Sequence, residues 1–369
     1  MRQKANSPQL TNTEIFFQIL KDPDRKSIIR MIWEFFYLYF YYGEFPRQYF
    51  SRYLFKKTRT NLLDYYPWKF LYNLKHFFNE KELCEVLENK LYYDFFYRQF
   101  NLSLPKILMY NHRNLFVIGK KNFVISSSGE FRTILAEIIK KNSSASDSVI
   151  IKKTYWSYGG DKVFKVYLSQ ISADPSRIDE LYEEVTKSGF LFQETIKQHP
   201  LLDKLNPSCV NTIRFDTYID PEGKVEVISA YLRMSYRNCE VDNVSLGGCF
   251  VGIDMQTGRL KKEGFSNLID LGVTILTKHP VTNIVFENLT IPFFEEAKAL
   301  VMKAASYMPG IRLVGWDVAI GVYEPILIEG NSDYDNTGND LSEGGYRTNA
   351  VFKKVLQEYN VLKKQKTAD

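Results

Sequence analysis

Residues 311–331 read I-R-L-V-G-W-D-V-A-I-G-V-Y-E-P-I-L-I-E-G-N and carry Asp317, Glu329 and Asn331. The alternation in V-G-W-D-V-A-I puts Val314, Trp316, Val318 and Ile320 on one face of a strand and Gly315, Asp317 and Ala319 on the other. A break over 321–325 separates this strand from a second one, I-L-I-E-G-N. A hairpin turning about Tyr323 sets Asp317 directly opposite Glu329, with Asn331 two residues further along the same face. Two carboxylates about 5 Å apart at Cβ repel, so the pair needs a cation. Carboxylates and an amide oxygen are hard ligands of the kind Mg²⁺ takes, and Mg²⁺ brings substrate phosphates with it. The hairpin therefore points to a nucleotide enzyme. The competing reading is an acidic hairpin that faces solvent.

The rest of the chain narrows the choice. Its 369 residues leave room for two or three compact units. A net charge of +5 with no long basic run gives no reason to expect nucleic acid. Cys84, Cys209, Cys239 and Cys249 have neither metal-site spacing nor the density of a disulfide framework, which suits a reducing cytoplasm. The start, MRQKANSPQLTNTE, lacks the apolar core of a signal peptide. Residues 28–42 are the best membrane candidate but are too short to span and contain Arg30 and Glu34. They read first as a buried aromatic helix. The sharper alternative is docking to a membrane surface or a partner, helped by the basic stretch 52–59.

Residues 1–85 are mostly helical, with Thr11 and Glu14 opening one helix and Asp22-Pro23-Asp24 the next. Helical periodicity runs over 80–98, and a strand pair surrounds Gly119. Residues 148–170 give strand, glycine loop, strand, and 190–194 an apolar strand that turns polar at Gln193 and Glu194. Two long strands, 210–219 and 224–233, pair through Asp220-Pro221-Glu222-Gly223. A second glycine loop at 242–248 precedes a hairpin through Asp254 and Gly258, and helices cover 293–308 and 349–364.

Lys152 ends a strand just before S-Y-G-G-D-K, so Ser157, Gly159 and Gly160 with this lysine can cradle phosphate; a plain Gly-Gly hairpin turn fits the same residues. Gln193 and Glu194 suit the wall of an adenine pocket, and an ordinary buried strand equally. A turn at Pro221-Glu222 sets Arg214 opposite Ser229 and Val210 opposite Arg233, with both guanidinium groups on one sheet face. They require an anion, either Asp216 nearby or a ligand phosphate or carboxylate. Asn243 sits in the second glycine loop, where Gly247 and Gly248 permit close approach to a ligand. His199 and His279 read as loop residues, and no Ser–His–Asp or Cys–His set stands out.

In this order, Lys90, Lys152, the glycine loop, Gln193–Glu194, Arg214, Arg233, Asn243 and the Asp317–Glu329–Asn331 set resemble the ATP-grasp ligases. N-P-S-C-V-N-T-I-R, D-N-V-S-L-G-G, K-H-P-V-T-N, V-G-W-D-V-A-I and I-E-G-N look like the sugar-transfer-associated, α-L-glutamate-ligase-related branch, over about residues 85–345. The resemblance implies an α+β ATP-grasp fold. A mostly helical region, 1–85, would precede two α+β subdomains, 86–198 and 199–369, that clasp ATP. It implies that Lys90 and Lys152 contact phosphates while Ser157, Gly159 and Gly160 close over them. Gln193 and Glu194 would hold the adenine end. Asp317, Glu329 and Asn331 would hold one or two Mg²⁺, or Mn²⁺, and Arg214, Arg233 and Asn243 would serve catalysis. The implied activity is carboxylate–amine ligation through an acylphosphate in cell-surface polysaccharide synthesis, joining an amino acid or amino sugar to a sugar acid. A phosphotransferase acting on a sugar hydroxyl and a non-catalytic partner of a glycosyltransferase are the alternatives. The implied partners are a small-molecule or glycan carboxylate and an amine, with peripheral association at the inner face of the membrane or with a glycosyltransferase. The chain departs from the family at Lys153, where proline is usual, at Tyr158, which replaces a loop glycine, and in the acidic run after Asn331. The N-terminal region also lacks a doubly wound substrate domain.

Overall fold

The computed structural model describes residues 10–142, 146–155, 162–236 and 248–366. Ser157, Gly159, Gly160, Asn243 and Gly247 lie outside the described residues. The described chain is α+β, with a helical N-terminal part followed by two six-stranded sheets, and every strand pairing within them is antiparallel.

The first sheet contains β1 (Ile107–His112), β2 (Leu115–Ile118), β3 (Lys121–Val124), β4 (Ser148–Lys153), β5 (Val163–Tyr167) and β6 (Gly189–Glu194), in the order β3-β2-β1-β6-β4-β5. Gly119 turns the β2–β3 hairpin at φ +60°, a left-handed conformation that glycine adopts without a Cβ penalty. The helices Ser128–Lys141 and Pro175–Val185 cover this sheet, burying Phe131, Leu135 and Ile139 from one and Ile178 and Val185 from the other.

The second sheet contains β7 (Thr212–Ile219), β8 (Val225–Ser235), β9 (Gly248–Ile253), β10 (Leu260–Ser266), β11 (Leu313–Ile320) and β12 (Pro325–Asn331), in the order β10-β9-β8-β7-β11-β12. The alternation in β11 holds: Val314, Trp316, Val318 and Ile320 join the core under the helix Phe294–Ser306, which contributes Ala297, Val301 and Ala304. Each such aliphatic side chain stabilises the fold by about 1.5–3 kcal/mol on burial, which holds the opposite, polar face of β11 in place. Trp316 also donates its indole N–H to Thr217 Oγ1 at 2.8 Å. Its ring lies against Gly330, where an added Cβ would come within 2.8 Å of it, so glycine is required there.

Three local expectations change. The periodic stretch 80–98 is two helices, Lys81–Glu88 and Lys90–Arg98, because Asn89 leaves the helical region and caps the second through its side chain to the N–H groups of Leu91 and Tyr92. Thr11 and Glu14 form a full capping box, but the next helix, Ile28–Tyr42, is capped by Ser27 rather than by Asp22-Pro23-Asp24. Asp22 instead pairs with buried Lys56. That helix is also not buried: among its residues only Glu34 and Leu38 are enclosed, Phe35 and Tyr42 are half-buried against the core, and its other aromatic side chains face out.

Candidate active site

Asp317 and Glu329 are register partners across β11 and β12, and Gly315 pairs with Asn331. The three side chains thus stand on one face, opposite the apolar core. Asp317 is buried, while the Glu329 side chain is 26% exposed.

The cations come from four other elements. β7 pairs with β11 so that Arg214 lies directly opposite Asp317. Arg214 grips it with two parallel N–H bonds, from Nε to Oδ1 and from Nη2 to Oδ2, the latter at 3.0 Å. Arg233 on β8 donates from Nη2 to Asp317 Oδ2 at 2.8 Å and from Nε to Thr212 Oγ1 at 3.0 Å. The two guanidinium groups do share a face, but their register differs from the expected one. Arg214 opposes Tyr231 and Arg233 opposes Thr212, while Ser229 opposes Asp216. The turn closes on the pair Ile219–Val225, and a bulge between Asp216 and Thr217 adds one further residue of slip. The anion that the arginines share is Asp317 and not Asp216, whose Oδ2 accepts from the Tyr346 hydroxyl.

Lys90 begins the helix Lys90–Arg98 and sends its ammonium to Glu329 Oε2 at 3.4 Å. Its backbone N–H donates to Thr154 O at 2.8 Å, which ties this helix start to the end of β4. Lys152 on β4 acts on the same carboxylate across the gap between the sheets. Burial pushes the Glu329 carboxyl up. Lys90, Lys152, a contact with Asp317 and the Arg214 guanidinium together outweigh burial and hold it below the usual carboxylate range. Among the described residues, four cations therefore gather around two carboxylates at the seam of the two sheets. Such a gathering of cations suits a polyanionic ligand.

Asp317 accepts three N–H bonds on two oxygens, which leaves about one of its roughly four acceptor positions. Asn331 donates its amide N–H to Gly315 O at 3.4 Å, so its other amide atom, the oxygen, is the one suited to a cation. Glu329 stays ionised under the field of its lysines. These are hard oxygen donors on adjacent strands, and they fit Mg²⁺. No cluster of three or more His, Cys, Asp or Glu arranged for a metal occurs among the described residues, so the amide is needed to complete a set of three.

Gln193 is buried on β6 between Ile107 and Ile150, and Glu194 Oε1 accepts the Lys106 backbone N–H at 2.9 Å. The carboxylate of Glu194 is thus engaged by its own sheet edge. His199 caps the helix Pro200–Leu205, and His279 is buried with its ring bonded to Ser235 O and Thr282, so both are structural.

Two features were not singled out in the sequence. Tyr93, one turn beyond Lys90, has a buried hydroxyl without a hydrogen-bond partner and lies within electrostatic reach of Glu329 and Asp317. The i, i+3 spacing of Lys90 and Tyr93 was a usable signal. Behind Arg214, the Tyr334 ring packs on Gly315, where a Cβ would sit 2.7 Å from it, and Lys75 lies 4.5 Å from the ring centroid. The acidic run after Asn331 serves this scaffold: Asp333 pairs with Lys75 at 3.2 Å, Asp335 caps Thr337, and buried Asp340 receives Arg52.

No curated protein matches the chain. It is similar in fold to D-alanyl-alanine synthetase A from Vibrio cholerae, at 11% identity over 76% of this chain and 66% of that one, with a TM-score of 0.45. It is similar to N5-carboxyaminoimidazole synthase from Aspergillus clavatus in complex with ADP and 5-aminoimidazole ribonucleotide, at 9% identity over 72% and 52%, TM-score 0.41. A third is D-alanine–D-alanine ligase from Bacillus anthracis complexed with ATP, at 10% identity over 78% and 69%, TM-score 0.39. The chain spans less than two thirds of the length of the first two. The sugar-transfer associated ATP-grasp family matches residues 69–351, which include both sheets and every site residue above. The chain belongs to the sugar-transfer associated ATP-grasp family.

Proposed function

We propose that the protein is an ATP- and Mg²⁺-dependent carboxylate–amine ligase. The observation that carries this reading is the Asp317–Glu329 pair ringed by Lys90, Lys152, Arg214 and Arg233 at the seam of the two sheets. A site that gathers four cations beside hard oxygen donors suits phosphoryl transfer, where positioning and charge do the work.

Lys90 and Lys152 would bind the ATP phosphates. Gln193 would face the adenine end; Glu194 is the weaker candidate, because its carboxylate already serves Lys106. Glu329, Asn331 and the remaining acceptor position of Asp317 would hold Mg²⁺, which when bound neutralises phosphate charge; Mn²⁺ offers the same chemistry. Arg214 and Arg233, held rigid by Asp317, would orient the substrate carboxylate as it attacks the γ-phosphate. The amine then displaces phosphate from the acylphosphate and forms the amide. By the family resemblance Ser157, Gly159 and Gly160 would close over the phosphates and Asn243 would serve catalysis; these residues lie outside the described ones. The same reading divides the chain at 85 and 198. In this reading a sugar acid is the carboxylate and an amino acid or amino sugar the amine, in a cytoplasmic step of polysaccharide synthesis; the family description, sugar-transfer associated, supports the link to sugars.

Incubation with Mg·ATP, hydroxylamine and a panel of uronic acids tests the reading. A hydroxamate formed together with ADP is expected. Stable phosphosugar without hydroxamate would replace the ligase with a sugar kinase.

A further inference from the structure

The helix Ile28–Tyr42 is apolar on two sides: Leu38 is buried with Met31, Phe35 and Tyr42 against the core, and a second apolar face is left exposed. Its inward side carries a carboxylate: Glu34 is buried and accepts from Lys26 Nζ at 2.8 Å, Arg30 Nε at 2.8 Å and the Tyr49 hydroxyl at 3.0 Å. Its outward side carries Ile29, Ile32, Trp33, Phe36 and Phe40, spaced three and four apart, with Ile29 83% and Phe40 76% exposed. A surface helix ordinarily presents polar residues on its outward side. An aqueous surface gains nothing from such a face, and one this continuous marks an interaction site.

Charge indicates what covers it. Residues 1–75 contain thirteen Lys and Arg against six Asp and Glu, a surplus of seven. The whole chain has a surplus of five, so the remaining residues are net negative by two. The positive charge of the protein is thus concentrated in the segment that presents the apolar face. Lys21, Arg30, Arg47, Lys57 and Lys69 are exposed there. Exposed Trp and Phe flanked by Lys and Arg is the composition of a helix that lies in the headgroup region of a membrane. Fifteen residues give about 22 Å of helix, and no helix among the described residues is long and apolar enough to cross a membrane.

We propose that residues 28–42 seat this protein on an anionic lipid surface, with the Ile29–Phe40 face in the acyl–headgroup boundary and the surrounding cations on lipid phosphates. The segment is firmly joined to the second sheet. Arg52 Nε donates to buried Asp340 Oδ2 at 3.0 Å, and the Tyr53 hydroxyl donates to Ser266 O at 3.1 Å. Docking would therefore set the orientation of the Asp317-bearing sheet relative to the bilayer. The proposal stands independently of the ligase reading.

The test is flotation of the full chain with vesicles of phosphatidylcholine alone and of phosphatidylcholine with an equal part of phosphatidylglycerol. Binding to the anionic vesicles is expected, about tenfold or more above the neutral ones and weakened by salt, with a blue shift of tryptophan emission. Trp33→Ser with Phe36→Ser and Phe40→Ser should lower binding about tenfold or more, and Phe40→Ser alone by a smaller factor, with circular dichroism unchanged. The single change keeps the test valid if the triple variant fails to fold. Binding to neither vesicle, or equal binding by the folded variants, would overturn the proposal. So would a wild-type dimer that the variants dissociate without any vesicle binding, since the face would then join two copies of this chain.

Discussion

Asp216 provides a quantitative test of the polar layer that supports Arg214. It lies on β7, fully buried, two residues along from Arg214. Burial raises its carboxyl from 3.8 to about 7, against the opposing pull of the Tyr346 hydroxyl bond, Arg214 and Lys75. In the unfolded chain the group returns to its ordinary value. Between pH 4 and 7 the folded protein therefore binds more protons than the unfolded one, and stability falls as pH rises through that window. A shift of about three units at 1.36 kcal/mol each gives a loss of about 4 kcal/mol, complete above about pH 7. Asp216→Asn retains an acceptor for Tyr346 and removes the titration. Urea unfolding of both proteins at pH 4.5, 6, 7 and 8 gives their stability difference, in which the contributions of other titrating groups cancel. The variant should gain about 3 kcal/mol relative to wild type between the ends of this range, since part of the titration lies below pH 4.5. A difference that does not vary with pH would show that the carboxyl is ionised throughout and that the surrounding cations outweigh burial.

Three further outcomes follow from the same geometry. Asp317→Asn leaves Arg214 and Arg233 without their carboxylate, and should cost about 3–5 kcal/mol in a urea melt. Glu329→Gln, at a partly exposed position, should leave the melting temperature within a few degrees of wild type while ATP turnover falls about a hundredfold or more. Gly315→Ala pushes a methyl group into the Tyr334 ring and should cost about 1–3 kcal/mol, measured by the same melt, with a further loss of turnover as Arg214 shifts.

The opposed Asp317 and Glu329 were legible in outcome but not in cause: the turn closes on Ile320–Pro325, which alone would set Asp317 opposite Ile328, and a bulge at Asp317–Val318 restores the Glu329 pairing. The shared face of Arg214 and Arg233 was legible from strand alternation, while their register was not. It depends on where the turn closes and on a bulge at Asp216–Thr217 that no residue pattern announces. That Asp317 is their shared anion follows from β11 packing on β7, strands separated by about a hundred positions whose pairing no local signal encodes. Asn89 shows a different failure, since it continued the apolar period of 80–98 in sequence yet ends that helix by capping the next. The helix Ile28–Tyr42 was legible as a helix from its composition, but aromatic residues placed all round it left its exposed side undecided. Glu34, drawn inward by Lys26 and Tyr49, and buried Leu38 one turn on choose the face.

The central claim is that Lys90, Lys152 and Glu329 form the phosphate and metal end of an ATP site. Calorimetric titration with a non-hydrolysable ATP analogue, with and without Mg²⁺, tests it most directly. The account predicts Mg²⁺-dependent binding by the wild-type protein, weakened about tenfold or more in folded Lys90→Met, Lys152→Met and Glu329→Gln. Equal affinity in wild type and all three variants, or binding indifferent to Mg²⁺, would contradict it.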